Sequence, residues 1–189
     1  MADRIYVDSP PKQGIRLGSA NHINRVFIAF RNPTASGAYW GVVCEGSANT
    51  INSLKINDNF NVSNSGTDGG GVWIKVGADR NIIGNINMFG QNNTGLTSIG
   101  ALIEGNYTQI NSGVISDIVS GTGLKISSAG GSFKLTIRNC NLGYYYNNSS
   151  ISAVKWNMLN INSVNNTTSE QKDNNYTNES VQVTNNTTT

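Results

Sequence analysis

Charge is scarce in this sequence. Only 13% of its 189 residues are Asp, Glu, Lys or Arg, and 13 basic against 11 acidic side chains leave a formal charge of +2. So small a surplus excludes the basic footprint of a nucleic-acid surface, and no nucleic-acid partner is expected. Cysteine is nearly absent too. Cys44 and Cys140 are too few and too far apart for a disulfide framework, and His22, the sole histidine, completes no metal-ligand cluster. No metal and no cofactor are expected. Long apolar runs are missing: none approaches the ~20 residues of a membrane span, so no membrane insertion is expected. The opening "MADRIYVDSPPKQG" lacks the apolar stretch of a secretory signal. The expectation is a chain made without export, exported by other means, or cut from a longer parent.

What replaces charge is asparagine, with serine, threonine and 21 glycines. Asparagine favours neither helix nor strand, because its short amide competes for backbone hydrogen bonds. The 37% of hydrophobic residues are nonetheless regularly spaced, which argues against disorder over most of the chain. Asn-x-Ser/Thr triplets, at Asn61, Asn106 and Asn175 for example, are expected by chance in such a composition.

An internal repeat organises the rest. Gly14, Gly41, Gly71, Gly100 and Gly123 open nearly the same tetrad, and Ala153 opens a sixth copy, at spacings of 27, 30, 29, 23 and 30 residues. The first position after the opening residue reads Ile15, Val42, Val72, Ala101, Leu124, Val154. The third reads Leu17, Cys44, Ile74, Ile103, Ile126, Trp156. Every entry in both columns is apolar, as the inward positions of a strand must be. A second apolar cluster follows each tetrad, for example Ile51/Leu54/Ile56 and Ile82/Ile86/Met88.

Two or three short strands per repeat, with no helical periodicity, predict an all-β chain built as a parallel β-helix of about six coils. Each coil buries its apolar face only by stacking on its neighbours. A β-sandwich of short antiparallel strands is the alternative, but it needs hairpin turns and gives no reason for aligned columns. The predicted organisation is a leader or cap over 1–13, the β-helix over 14–164, and an Asn/Thr-rich tail over 165–189 that partner chains would have to order. Ile-Asn pairs at 23–24, 51–52, 56–57, 86–87, 110–111 and 161–162 suggest outward or corner asparagines stacked in amide ladders.

Candidate chemistry lies on the outward positions. The fourth tetrad position brings Glu45, Lys75 and Glu104 into one column. Its plain reading is an alternating ion ladder. Its sharper reading is a pair of carboxylates about 9.6 Å apart, near the upper limit for an inverting glycosidase. Glu45, Glu104 and Asp117 are the weak catalytic candidates, and Lys75 would hold both glutamates ionised. The second position gives an apolar stripe of Val43, Trp73 and Leu102, expected to be covered by a loop of the same chain or to form an oligomer interface. Loops are expected at 32–40, 65–71 and 143–150. Trp40 and the run Tyr144, Tyr145, Tyr146 offer flat aromatic faces for stacking on sugars, although one tyrosine could instead fill the core beside Trp156.

The five glycine-led coils at 14–17, 41–44, 71–74, 100–103 and 123–126, the Asn-rich corners and the polar, low-charge surface resemble the right-handed, pectin-lyase-like β-helix of phage tailspikes and related receptor-binding appendages. The resemblance covers 14–164 and is architectural. It implies a side-by-side homotrimer on a virion, contacting other virion proteins and binding bacterial surface polysaccharide during host attachment. It also leaves open a polysaccharide hydrolase or lyase, and a purely structural fibre. The chain departs from the resemblance in its shortness and its few carboxylates.

Overall fold

A computed structural model describes residues 2–8, 13–31, 40–59, 69–90, 98–146, 157–172 and 180–186. Sixteen strands are present among the described residues. In chain order they are β1 (Ala2–Asp8), β2 (Gln13–Leu17), β3 (His22–Arg31), β4 (Trp40–Cys44), β5 (Thr50–Asn59), β6 (Gly69–Ile74), β7 (Ile82–Gly90) and β8 (Ser98–Ile103). There follow β9 (Gln109–Ile110), β10 (Gly113–Ser116), β11 (Thr122–Ile126), β12 (Ser132–Arg138), β13 (Leu142–Tyr146), β14 (Met158–Val164), β15 (Thr168–Lys172) and β16 (Ser180–Asn186). No helix occurs among the described residues.

The strands form two wholly parallel sheets. The first runs β1-β3-β5-β7-β10-β12-β14-β16, with the short β9 bridging β7 and β12; the second runs β2-β4-β6-β8-β11-β13-β15. Consecutive strands alternate between the sheets, apart from β9 and β10, and each sheet grows in chain order. A sandwich of antiparallel strands is thereby excluded. The arrangement is solenoid-like and compatible with a parallel β-helix.

The core lies between the two sheets. From the second sheet it takes the columns Val42/Val72/Ala101/Leu124/Tyr144 and Leu17/Cys44/Ile74/Ile103/Ile126/Tyr146, all buried. From the first it takes Ile28/Ile56/Met88/Ile115/Ile137, also buried and in register. Stacking like on like places β-branched side chains over one another at the strand spacing, which removes apolar area from water that no single coil could bury.

The register corrects the sixth repeat. Leu124, Lys125 and Ile126 pair with Tyr144, Tyr145 and Tyr146, so the next tetrad opens at Gly143 rather than Ala153. The expected loop at 143–150 therefore begins as strand β13, and residues 147–156, Ala153 and Trp156 included, lie outside the described residues. The segment 1–13 carries β1, whose Ile5 and Val7 pack against the core beside Val26 and Ile28. The tail after 165 carries β15 and β16; Val181 and Val183 stand in register with Leu159 and Ile161.

Five glycines of this column, Gly14, Gly71, Gly100, Gly123 and Gly143, now have a steric reason. A Cβ on Gly100 would lie 2.4 Å from the Gly123 carbonyl oxygen and 2.5 Å from Ile115 Cγ2. The same pattern repeats at Gly14, Gly71, Gly123 and Gly143, each against the carbonyl oxygen of the next rung. The glycine column is thus where the second sheet's backbone passes closest to its neighbour and to the opposite sheet's side chains.

The corners are built from left-handed residues. Ala20, Ala48, Arg80 and Tyr107 adopt φ of 56–60° at equivalent places between the second sheet and the first. Just after them, Asn49 Oδ1 accepts from the backbone N–H and side-chain amide of Asn21, and Asn81 Oδ1 accepts from the Asn49 N–H, at 2.8–2.9 Å. Asn49 and Asn81 are buried, and each donates back to a carbonyl three residues earlier. Beside them Ser47, Asp79 and Asn106 pass the same kind of bond from rung to rung. The asparagine ladder exists, but its buried members are not those of the Ile-Asn pairs. Of those pairs, Asn52 donates to Asn24 on the surface.

Candidate functional site

The outer face of the second sheet gathers most of the candidate residues. Its outward column runs Arg16, Val43, Trp73, Leu102, Lys125, Tyr145 in unbroken register from β2 to β13. Just beyond the strand ends, Glu45, Lys75 and Glu104 continue the stack, their backbone N–H groups donating to Leu17, Cys44 and Ile74 carbonyls.

One half of this face is apolar and closed. Val43 is 0% exposed and Leu102 6%, packed with Trp40, Ile99 and the half-buried Trp73 in a cluster separate from the main core. Of the Val43–Trp73–Leu102 stripe expected on the surface, Val43 and Leu102 are therefore already buried within the single chain, and Trp73 keeps part of its surface. Trp40 is 2% exposed, its ring centroid 5.4 Å from that of Trp73, which withdraws it from sugar stacking. The expected loops at 32–40 and 65–71 supply no further detail, since 32–39 and 65–68 lie outside the described residues, while Trp40 belongs to β4 and 69–71 to β6.

The other half is a polar chain of contacts. Arg16 and Lys75 both donate to Glu45 Oε1, at 2.7 and 2.5 Å. Lys75 Nζ also sits 4.9 Å from the Trp73 ring centroid, and Trp73 Nε1 donates to Glu104 Oε2 at 2.7 Å. Further down the column Lys125 Nζ lies 5.7 Å from the Tyr145 ring. Cations over ring faces and a carboxylate shared by two cations hold these exposed side chains in place.

The hydrogen bond from Lys75, with the added charge of Arg16, holds the Glu45 carboxyl below its usual value of 4.5. A general acid needs the opposite shift. Glu104 accepts from the Trp73 indole, and Lys75 stands between the two glutamates, paired with Glu45. Asp117 lies away from this column, at the corner between the first sheet and the second. There it adopts φ 65° and accepts from Ser116 Oγ at 2.7 Å and Asn139 Nδ2 at 2.8 Å. Its place is that of a corner residue, repeated by Asn139 and Asn165 with φ of 54° and 52°. The structure does not bring the three catalytic candidates together.

The three tyrosines separate by alternation. Tyr144 and Tyr146 point into the core, 0% and 1% exposed, and Asn157 donates its amide to the Tyr146 hydroxyl. Both are core residues, unavailable to a sugar. Tyr145 alone keeps a partly exposed ring. Among the described residues no three His, Cys, Asp or Glu side chains converge as metal ligands.

Sequence reasoning expected asparagine ladders but drew them through the Ile-Asn pairs and missed the buried members Asn49 and Asn81, although a signal was present. Residues 18–24 read GSANHIN and residues 46–52 read GSANTIN, with the left-handed alanine and the ladder asparagine at the same places in both. A scan against protein-family models matches none of them, and searches of the curated proteins and of the solved structures find no match.

Proposed function

We propose that this chain is a segment of a phage virion appendage, a right-handed parallel β-helix that binds host surface polysaccharide and stands side by side with two copies of itself. The observation that carries the reading is the outer face of the second sheet. It presents Tyr145 and part of Trp73 beside Lys75 and Lys125 on a rigid stack, at rung spacings of about 4.8 Å. Aromatic rings flanked by hydrogen-bond donors suit an extended, hydroxyl-rich polymer running along the rod. Binding without cleavage is favoured because the Glu45 carboxylate is engaged by two cations and that of Glu104 by an indole.

The test incubates the full chain with purified capsular and O-antigen polysaccharides. Retention of at least one of them, with its polymer length unchanged and its affinity lowered several-fold by Tyr145→Ala, is the expected result. Release of reducing ends or unsaturated sugars, abolished by Glu104→Gln, would replace binding with cleavage. Retention of none, or an unaltered Tyr145→Ala variant, would overturn the proposal.

A further inference from the structure

A second patch lies on the outer face of the first sheet, across the rod from the site above. Arg4 and Tyr6 of β1 share that face because the inward Ile5 separates them, and Arg25 and Phe27 of β3 repeat the arrangement one rung on, about Val26. Lys55 of β5 continues the Tyr6–Phe27 column. The Tyr6 and Phe27 rings stack at 5.0 Å with an interplanar angle of 6°, and Lys55 Nζ lies 5.6 Å from the Phe27 centroid. Ammonium, Phe27 and Tyr6 thus form an ordered pile in which Tyr6 is 58% exposed. Such exposure leaves apolar ring surface for a flat partner to cover.

The charges beside the pile are the second observation. Arg4 and Arg25 are exposed on adjacent rungs, their Cα atoms paired, and neither has a carboxylate partner among the described residues. Like charges set directly opposite one another repel unless an anion lies between them. The nearest carboxylates do not serve: Asp3 accepts from Asn24 Nδ2 at 3.0 Å, and Asp8 has an interaction of its own. On the other sheet Arg16 is paired with Glu45 one rung on; Arg4 and Arg25 instead face each other across two rungs, beside the exposed ring.

We propose that Arg4, Tyr6, Arg25 and Phe27 form a binding site for an acidic saccharide unit, a uronate-type sugar whose ring stacks on Tyr6 and whose carboxylate lies between the two guanidiniums. Planar guanidiniums match a carboxylate in two parallel hydrogen bonds, and the aromatic pile selects a ring over a bare anion. The inference deepens the polysaccharide-binding reading, on which it rests, by naming an acidic ligand class at a second place on the rod.

The full chain is titrated with a short oligogalacturonate, with dextran as the neutral polymer and a single-stranded oligonucleotide as a polyanion without uronate rings. Oligogalacturonate is expected to bind, more weakly as salt rises, with dextran about tenfold weaker or worse. Arg4→Gln with Arg25→Gln should weaken uronate binding about tenfold or more, and Tyr6→Ala several-fold, circular dichroism reporting the fold of each. Should the double variant not fold, Arg25→Lys keeps the charge but loses the fork, and several-fold weakening is again expected. Unaltered affinity in these variants overturns the site. So does an oligonucleotide that competes as well as the uronate, or a Tyr6→Ala variant that changes only the oligomeric state. If uronate binding fails while other polysaccharides are still held through Tyr145, this inference falls alone. If uronate binds here and surface polysaccharides do not, the broader reading falls instead.

Discussion

Gly100 and Gly18 are both glycines in a solenoid of glycine-led repeats, yet only one has no room for a methyl group. A Cβ on Gly100 meets the Gly123 carbonyl at 2.4 Å, whereas one on Gly18 meets nothing within 4 Å. Gly100→Ala should therefore cost about 1–3 kcal/mol or more by forcing the rungs apart, and Gly18→Ala should be neutral or stabilise by no more than about 1 kcal/mol. Urea unfolding of the two variants checks the contrast. The repeat was legible from these glycines, because a close approach admits only one residue type; what they approach was not, since it lies on another rung. The cysteines give a second prediction at this scale. Burial pushes the Cys44 thiol up to about 12 and Cys140 to about 11, against an ordinary 9.0. The unfolded chain then loses thiol protons near pH 9 while the folded chain keeps them, so stability must fall as pH rises from 9 towards 12. At pH 8 a thiol reagent should label both cysteines only as fast as the chain opens; immediate labelling of the folded chain would contradict their burial.

Strand β13 shows where the reading of elements failed and why. Three successive tyrosines hide an alternation, because inward and outward positions carry the same residue, while Ala153-Val154-Lys155-Trp156 carries the tetrad pattern in the sequence and lies outside the described residues. The structure resolves it through register, with Leu124 against Tyr144 and Ile126 against Tyr146. Tyr146→Ala should thus cost about 3–5 kcal/mol, as for a large aromatic removed from a core, and Tyr145→Ala about 1 kcal/mol or less. Equal thermal shifts for the two would show that the strand does not alternate. The corners were partly legible. Asparagine was expected there for its tolerance of the left-handed region, and Asn139 and Asn165 occupy it, but Ala20, Ala48, Arg80 and Tyr107 do so as well. Those residues carry no such preference. The ladder asparagines Asn21, Asn49 and Asn81 follow the first three, and the buried Thr108, donating to the Gly105 carbonyl, follows Tyr107; a single-residue propensity cannot reveal that support.

At the scale of the molecule, shortening repeats follow from the corners. Between the first sheet and the second, the early coils span eight residues from Arg31 to Trp40 and seven from Gly90 to Ser98, while β12 joins β13 through three. That difference carries the glycine spacing from 27–30 residues down to 20 between Gly123 and Gly143. The apolar patch of Trp40, Val43, Ile99 and Leu102 sits at the coils with the longer connections and is buried without a second chain. Assembly, if the proposed trimer forms, must therefore use other surface. Sedimentation at micromolar concentration should show a trimer, unaltered by Val43→Ser wherever that variant folds; a monomer would remove the side-by-side arrangement.

All of these expectations depend on rungs stacked in parallel, with Glu45, Lys75 and Glu104 in consecutive places. Cysteine pairs measure that stacking directly. With Glu45→Cys and Lys75→Cys the Cα atoms stand one rung, about 4.8 Å, apart, within the range a disulfide spans. With Glu45→Cys and Glu104→Cys they stand two rungs, about 9.6 Å, apart, beyond it. Mild oxidation should join the first pair nearly completely and the second hardly at all; a joined 45–104 pair, or an unjoined 45–75 pair in a folded chain, would contradict the stack.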